Sequence, residues 1–476
     1  MPKFDTRVQE LRYRVLKTVA RHIYEGDFEE KFFDIPDEIC PGPKPSFRCC
    51  IYHERAIVKA RMKASTRYSV DDPSNVIKVI PIACDECLLG GYTVSDACRG
   101  CIAHRCSEVC PKKCISFGPD LKAHIDKGQC INCGLCAQNC PYQAIENRIR
   151  PCERACKQKA ISPDPLTNAA QINDEKCISC GACVYQCPFG AIVDVSYIKD
   201  IIETINLSKK NTEYKVFAIV APSIGGNFLE YTNGKIISAI KELGFYDVAE
   251  AALGADIVAL NETKELVERG KLTSSCCPAF KLYVEKFYPA LAKYVSDSPS
   301  PMVAVAKLIK EKYPNSKTVF IGPCTAKKTE IKNEKVKKYV DSAMTFEELQ
   351  ALFDAKGIDI SSLEEGQYSE FGGSYFGRGF AKCGGLSAAV QEVIKEKNYD
   401  FEVKGINADG IDNIRKALSE LKKAESEFNF VEGMVCSGGC IGGPCNLTHQ
   451  IRNVSMLEKY KNAASKSIEE TVDKSK

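Results

Sequence analysis

Between Val8 and Ile23 the apolar residues Val8, Leu11, Val15, Val19 and Ile23 fall at intervals of three, four, four and four. That spacing lines one face of a helix, and Gly26 is placed to end it. In the second half of the chain, apolar strand-like runs at Val216–Val220, Thr318–Ile321 and Phe430–Val431 alternate with helical stretches over Ser300–Glu311 and Ser387–Lys397. The alternation predicts an α/β domain on parallel-type sheets. Each run leads into a loop of unusual chemistry: Ala221-Pro222-Ser223, Gly322-Pro323-Cys324 and Val435-Cys436-Ser437. Such loops lie beyond strand carboxyl ends and can meet in one place. From Met456 the sequence turns Lys- and Glu-rich, which predicts a polar helix or a disordered end.

Between Ile82 and Asp194 this patterning gives way to short apolar runs and dense cysteine. No apolar run approaches the roughly 18 residues that span a bilayer, and Met1 to Arg14 is mixed in charge, without the apolar core of a signal peptide. The expectation is a soluble, cytoplasmic protein. Lys and Arg total 65 against 62 Asp and Glu, a net charge of +3. That balance argues against a nucleic-acid or membrane-surface binder, which needs a basic excess.

Cysteine changes the picture most, with 27 in 476 residues and 20 of them at or before Cys187. Clustered thiols in a reducing compartment point to metal ligation. Cys130, Cys133, Cys136 and Cys140 repeat as Cys177, Cys180, Cys183 and Cys187, each run reading C-x2-C-x2-C-x3-C-P and ending in Ala-Ile. The runs resemble bacterial two-cluster ferredoxins, in which each 4Fe-4S cubane takes three cysteines from one run and the last from the other. The resemblance implies one cluster on Cys130, Cys133, Cys136 and Cys187, and another on Cys177, Cys180, Cys183 and Cys140. Zinc fits poorly, because its sites use C-x2-C pairs. Two broken copies flank these runs: Cys106-x3-Cys110 and Cys152-x3-Cys156 look like tails of ferredoxin halves, and Cys84-x2-Cys87 and Cys98-x2-Cys101 are spaced pairs. Those eight thiols suit two further cubanes. They leave open a zinc site on the pairs, or one incomplete set completed by His104 or Cys114. Cys40, Cys49, Cys50, Cys383 and Cys445 join no ligand pattern.

Three loops of the second half carry the remaining chemistry: Ser275-Cys276-Cys277-Pro278, Pro323-Cys324-Thr325-Ala326-Lys327-Lys328 with Glu330, and Met434-x-Cys436-x-Gly-Gly-Cys440, followed by Gly442 and Gly443. In this order they resemble the three motifs of the FeFe-hydrogenases, over roughly Val216 to Cys445. The resemblance implies an α/β catalytic domain around an H-cluster, which is a 4Fe-4S cubane joined to a diiron subsite bearing CO, cyanide and a bridging amine-dithiolate. A ferredoxin-like α+β domain with two to four accessory 4Fe-4S clusters would precede it. The implied cubane ligands are Cys277, Cys324, Cys436 and Cys440, with Cys440 bridging to the subsite. Lys327 and Ser223 would make polar contacts to it, Met434 would pack beside it, and Phe380 would form another wall. The implied proton relay begins at Cys276 and uses Glu262, Glu265, Arg269 and Ser296; Glu262, Glu265 and Arg269 also share one helix face by spacing. Ser274, Ala279-Phe280, Gly322 and the Gly442-Gly443-Pro444-Cys445 ending depart from the family pattern and suggest a divergent subgroup.

The implied reaction is reversible reduction of protons to H2, with a soluble carrier such as ferredoxin as electron partner and dedicated proteins for maturation. The competing readings are a hydrogenase-like iron–sulfur assembly factor and a hydrogen sensor. The expected organisation is an N-terminal helical segment over 1–80, a ferredoxin-like domain over 81–195, a hydrogenase-type domain over 196–455 and a polar tail over 456–476.

Overall fold

The structure is a computed structural model and describes residues 4–66, 75–85, 87, 90–368, 370–423 and 426–475. The first helix runs Arg7–Glu25, started by a capping box between Thr6 and Gln9 and stopped by Gly26, whose φ of 80° suits a residue without a Cβ. Its buried face lies against the helix Phe346–Lys356, where Arg12 pairs with Glu347 at 2.6 Å and Gln9 Nε2 donates to the same carboxylate at 2.9 Å. A second long helix, Ile51–Thr66, sends Arg61 to the carbonyl of Gly190 at 2.8 Å. The N-terminal segment therefore braces both the cysteine-rich region and the α/β domain. Cys40 is buried among these helices with Val15, Val58 and Met62.

The α/β domain has two sheets, and every strand pair in them is parallel. One sheet runs in the order Asp247–Glu250, Val216–Val220, Lys317–Ile321, Ser342–Met344; the other runs Leu272–Thr273, Phe430–Met434, Gly405–Asp409. Val216–Val220 and Phe430–Met434 are buried along their whole length, as strands covered on both faces must be. Register sets Val220 against Ile321 and Thr273 against Val431, so the strands of each sheet finish at one edge. The helices Ala251–Arg269 and Pro301–Lys312 pack closely because Gly254 faces Pro301; a Cβ there would lie 1.9 Å from the Pro301 carbonyl oxygen.

The cysteine-rich region consists of antiparallel two-stranded ladders. Gly91–Val94 pairs with Ile145–Arg148 and Ile115–Phe117 with Ala123–Ile125, making an inner ferredoxin-type unit. Ile77–Val79 pairs with Ile192–Asp194 and Ile161–Pro163 with Ala170–Ile172, making an outer one. The inner unit is inserted within the outer. The two intact cysteine runs, expected to share one ferredoxin, thus belong to different units, because each is joined by its ladders to the broken copy that precedes it in the chain.

The end of the chain is not a free tail. A helix over Ile451–Asn462 runs through the expected boundary at residue 456 and buries Leu457 and Tyr460, and a last helix, Ile468–Ser475, buries Ile468 and Val472. Among the described residues no helix is long and apolar enough to cross a membrane.

Candidate active site

Each of the three motif loops leaves a buried strand and turns at once into a helix or a tight turn. Cys277 follows Leu272–Thr273 and begins the helix Pro278–Phe287; Cys324 follows Lys317–Ile321 and begins Thr325–Glu330. Cys436 follows Phe430–Met434, and Cys440 opens the turn Cys440–Gly442. The four thiols converge. Burial, then Cys324, Cys277 and Cys440, push the Cys436 thiol well up, and burial with Cys324 and Cys277 does the same to Cys440. Burial raises Cys324 to about 11, with Cys277 adding to the rise and Lys327 opposing it. Four like-charged thiolates in a dry pocket are costly unless a cation or cluster neutralises them.

Glycine makes room for the loops. A Cβ on Gly442 would lie 2.0 Å from the Ser437 carbonyl oxygen, and one on Gly322 would lie 2.8 Å from the Phe320 ring. Two of the departures from the family pattern meet at Gly433: Phe280 lies over it, where a Cβ would come within 2.3 Å of the ring, and Ser274 Oγ accepts the Gly433 N–H at 3.0 Å.

The non-ligand residues surround these thiols. Ser223 lies in the turn Pro222–Gly226, is fully buried, and its Oγ has no hydrogen-bond partner. Lys327 is buried and donates to Glu330 at 2.6 Å; burial works against its charge, but Glu330 and Cys324 more than offset that, and its pKa rises. Met434, Phe380 and Cys276 share one buried apolar cluster, with Cys277 and Cys383 against it. An unpartnered hydroxyl, a buried cation and four converging thiols fit a cubane bearing a group with polar acceptor ligands.

Cys276 has two thiols of that set, Cys277 and Cys440, and the carboxylates Glu262 and Glu432 as neighbours. Burial, then Glu262 and Cys277, push its thiol well above the ordinary range. Glu262 is fully buried, and burial lifts it to about 8 although Ser275 donates both its N–H and its hydroxyl to Oε1 at 2.9 Å. Glu262 Oε2 has no partner. Ser296 opposes the rise at Glu262 and donates to Glu265 Oε1 at 3.2 Å, and Arg269 approaches Glu265 at 3.6 Å while pairing closely with Asp297. The Arg269 side chain is 34% exposed, so the line runs from a sealed interior to solvent.

Sequence reasoning missed several residues here. Ser298 donates to Glu265 at 2.8 Å, closer than Ser296. Glu432, buried beside Cys276, takes the N–H groups of Gly384 and Ser387 at 2.9 and 2.8 Å. Lys328 is buried between Asp194 and Glu348 at 2.7 and 2.8 Å and ties the motif helix to the outer ferredoxin unit. A signal for Glu432 existed in its place two residues before Met434; nothing distinguished Lys328 from a surface lysine.

The accessory thiols fall into four groups. Cys110 lines one small cavity with Cys130, Cys133 and Cys136, where Cys114 is a fifth thiol, and Cys140 lines another with Cys98, Cys101 and Cys106. In the outer unit burial raises Cys152 to about 12, with Cys187 and Cys84 adding to it, and Cys87 likewise feels Cys84 and Cys187. Cys156 has Cys177 as a neighbour, and Cys180 and Cys177 lead the thiols around Cys183. The expected sharing of Cys187 with the run at Cys130, and of Cys140 with the run at Cys177, is therefore corrected. The Cys177 run meets the catalytic loops: Thr325 Oγ1 donates to the Ser179 carbonyl at 2.7 Å, and Cys180 and Cys324 are neighbours.

A parallel α/β domain thus gathers four thiols beyond its strand ends, beside ferredoxin-type units. Residues 214–444 match the iron-only hydrogenase large subunit, C-terminal domain, and residues 123–146 and 170–193 match the 4Fe-4S binding domain. The chain is an FeFe-hydrogenase-like protein, divergent at 27% identity. It is similar to iron hydrogenase 1 of Clostridium pasteurianum, 27% identical over 373 residues, covering 67% of this chain and 64% of that enzyme. It is also similar to the periplasmic [Fe] hydrogenase large subunit of Nitratidesulfovibrio vulgaris, 28% identical, covering 68% of this chain and 88% of that one. A weaker match, 22% identical over half of this chain, is the cytosolic Fe-S cluster assembly factor narfl of Xenopus tropicalis. The fold matches the [FeFe]-hydrogenase HydA1 of Chlamydomonas reinhardtii with a TM-score of 0.50 at 21% identity, covering 59% of this chain and 93% of that one.

Proposed function

We propose that the protein interconverts H2 with protons and electrons at an H-cluster held by Cys277, Cys324, Cys436 and Cys440. When bound, the diiron part of that group supplies the redox-active metal site at which H2 is made or split. The chain's own residues do the rest. Ser223 and Lys327 hold the group's polar ligands, Met434 and Phe380 exclude water, and Cys276 exchanges a proton with Glu262. From Glu262 the proton passes by Ser296 to Glu265 and leaves beside Arg269. The contact of Thr325 with Ser179 sets an accessory thiol group against the catalytic loop, as an electron path to a soluble ferredoxin-type carrier requires. The proposed compartment is the cytoplasm, where unpaired thiols stay reduced.

The observation that carries this reading is the fifth thiol. Cys276 is buried between the four converging cysteines and Glu262. A cubane alone, as in the assembly-factor reading, has no use for a fifth thiol leading to a carboxylate. Similarity to an assembly factor keeps that second reading in play. Infrared spectra of protein matured with a competent diiron-assembly system decide between them. CO and cyanide stretching bands with H2 evolution are expected; a blank spectrum hands the function to the assembly-factor reading.

A further inference from the structure

We propose that the cysteine-rich region binds four 4Fe-4S cubanes as two nested two-cluster units, on Cys98, Cys101, Cys106 and Cys140; on Cys110, Cys130, Cys133 and Cys136; on Cys84, Cys87, Cys152 and Cys187; and on Cys156, Cys177, Cys180 and Cys183. The proposal rests on the iron–sulfur part of the function above and not on H2 turnover.

The broken copies have the same local geometry as the intact ones. After Cys110, Cys140, Cys156 and Cys187 the chain makes the same turn, in which the third residue's N–H returns to the cysteine carbonyl at 2.9 to 3.1 Å. That third residue is Lys113, Gln143, Lys159 or Gly190, with φ between 49° and 61° in all four. The left-handed conformation is unfavourable for a lysine or glutamine and persists only where the surroundings impose it. The next N–H, from Ala144, Ala160 and Ala191, reaches the sulfur of Cys140, Cys156 and Cys187 at 3.4, 3.2 and 3.2 Å. N–H bonds to sulfur are how a protein stabilises the charge of a bound cluster. In the remaining copy Cys114 replaces that alanine; its sulfur lies 3.5 Å from that of Cys110. The residue before the second cysteine is also left-handed in three copies, at Gly100, Asn132 and Ser179. Cys106-x3-Cys110 and Cys152-x3-Cys156 are thus built as ferredoxin halves, although their sequences have lost part of the pattern.

The spacing of the sulfurs separates cubane from zinc. Among the described residues, the one trio of metal-type donor atoms lying within 4.8 Å of one another is His22, Glu25 and Asp27. No three sulfurs of any cysteine quartet stand that close. A tetrahedral zinc with bonds of about 2.3 Å needs sulfurs roughly 3.8 Å apart, whereas a cubane holds its thiolates at its corners and spreads them wider.

The test uses the full chain produced anaerobically without diiron maturation. Four accessory cubanes and the active-site cubane give about 20 iron per chain, and a saturated value near about 12 would overturn the two additional clusters. The nesting is read from paired variants. Cys98 and Cys140 serve one cubane here, so Cys98→Ala with Cys140→Ala should lose the same roughly 4 iron as either single change. A double variant short of about 8 iron would overturn that pairing, because it would place Cys140 on a different cluster from Cys98. Should any variant fail to yield soluble protein, the wild-type iron count and the number of 4Fe-4S signals in its Mössbauer and reduced-state EPR spectra carry the same decision, with five cubanes expected and three refuting. Failure of the hydrogenase reading would appear instead in protein matured with a competent diiron-assembly system, as missing CO and cyanide bands at an unchanged accessory iron count.

Discussion

Thr325 Oγ1 donates to the carbonyl of Ser179 across 2.7 Å, joining the residue after Cys324 to the residue before Cys180. Both residues are buried, so the bond is made where water cannot replace it. Gly181 gives this contact its closeness, since a Cβ there would lie 2.6 Å from the same hydroxyl.

Thr325→Val keeps the shape and removes the donor, stranding the Ser179 carbonyl. A loss of about 1–3 kcal/mol is expected for a buried acceptor without a partner. Anaerobic denaturant titration checks it, and a stability equal to wild type would mean that the joint is held by packing alone.

Lys328 is a second joint between the same regions. Its side chain is 1% exposed, and its ammonium group lies between Asp194 and Glu348 and also donates to the Val195 carbonyl. Lys328→Met should leave two buried carboxylates uncompensated at a cost of about 3–5 kcal/mol. Adding Asp194→Asn and Glu348→Gln should recover much of that loss. A triple variant no better than the single one would show that the lysine acts otherwise.

Much of the architecture is legible in the sequence. The helix read from Val8 to Ile23 spans Arg7–Glu25, and the strand runs at Val216, Thr318 and Phe430 all lie in parallel sheets. The motif cysteines converge because each follows one of those strands or its parallel neighbour. Three features stayed hidden for physical reasons. Cys130 and Cys177 begin near-identical runs, so similarity suggested a partnership, whereas ladder pairing obeys chain geometry and sends each run to a degenerate neighbour. Lys328 resembles any lysine until tertiary structure buries it. The final helices look polar because few of their residues, chiefly Leu457, Tyr460, Ile468 and Val472, are both buried and apolar.

Glu262 makes stability depend on pH in a defined direction. Its pKa is near 8 in the fold against an ordinary 4.5, so the folded state binds more protons between those values. Its contribution is fully present below about 4.5 and is lost as pH rises through about 8. Stability should therefore fall across that interval, and Glu262→Gln should flatten the fall. Denaturation midpoints at about pH 5 and about pH 9 measure it; equal slopes in both proteins would show that Glu262 ionises without penalty.

Cys276→Ser tests the proton line without removing a ligand. A hydroxyl is a far weaker acid than a thiol, so H2 turnover should drop by about 100- to 10,000-fold while iron content and infrared bands persist. Loss of cubane iron would make Cys276 a ligand, and undiminished turnover would send protons by another way.

The insertion of one ferredoxin unit into another sets a schedule for biosynthesis. Gly91 lies opposite Arg148, so the chain enters and leaves the inner unit at neighbouring points, and once that unit has folded the outer one is closed over a short span. A chain growing from its N-terminus makes Cys84 and Cys87 early but must complete the inner unit before Cys152 and Cys187 exist to join them. During that interval the first cluster-ligand thiols made are the last to find partners. Oxygen or stray metal met during translation should therefore damage the outer unit first, the one that touches the catalytic loops.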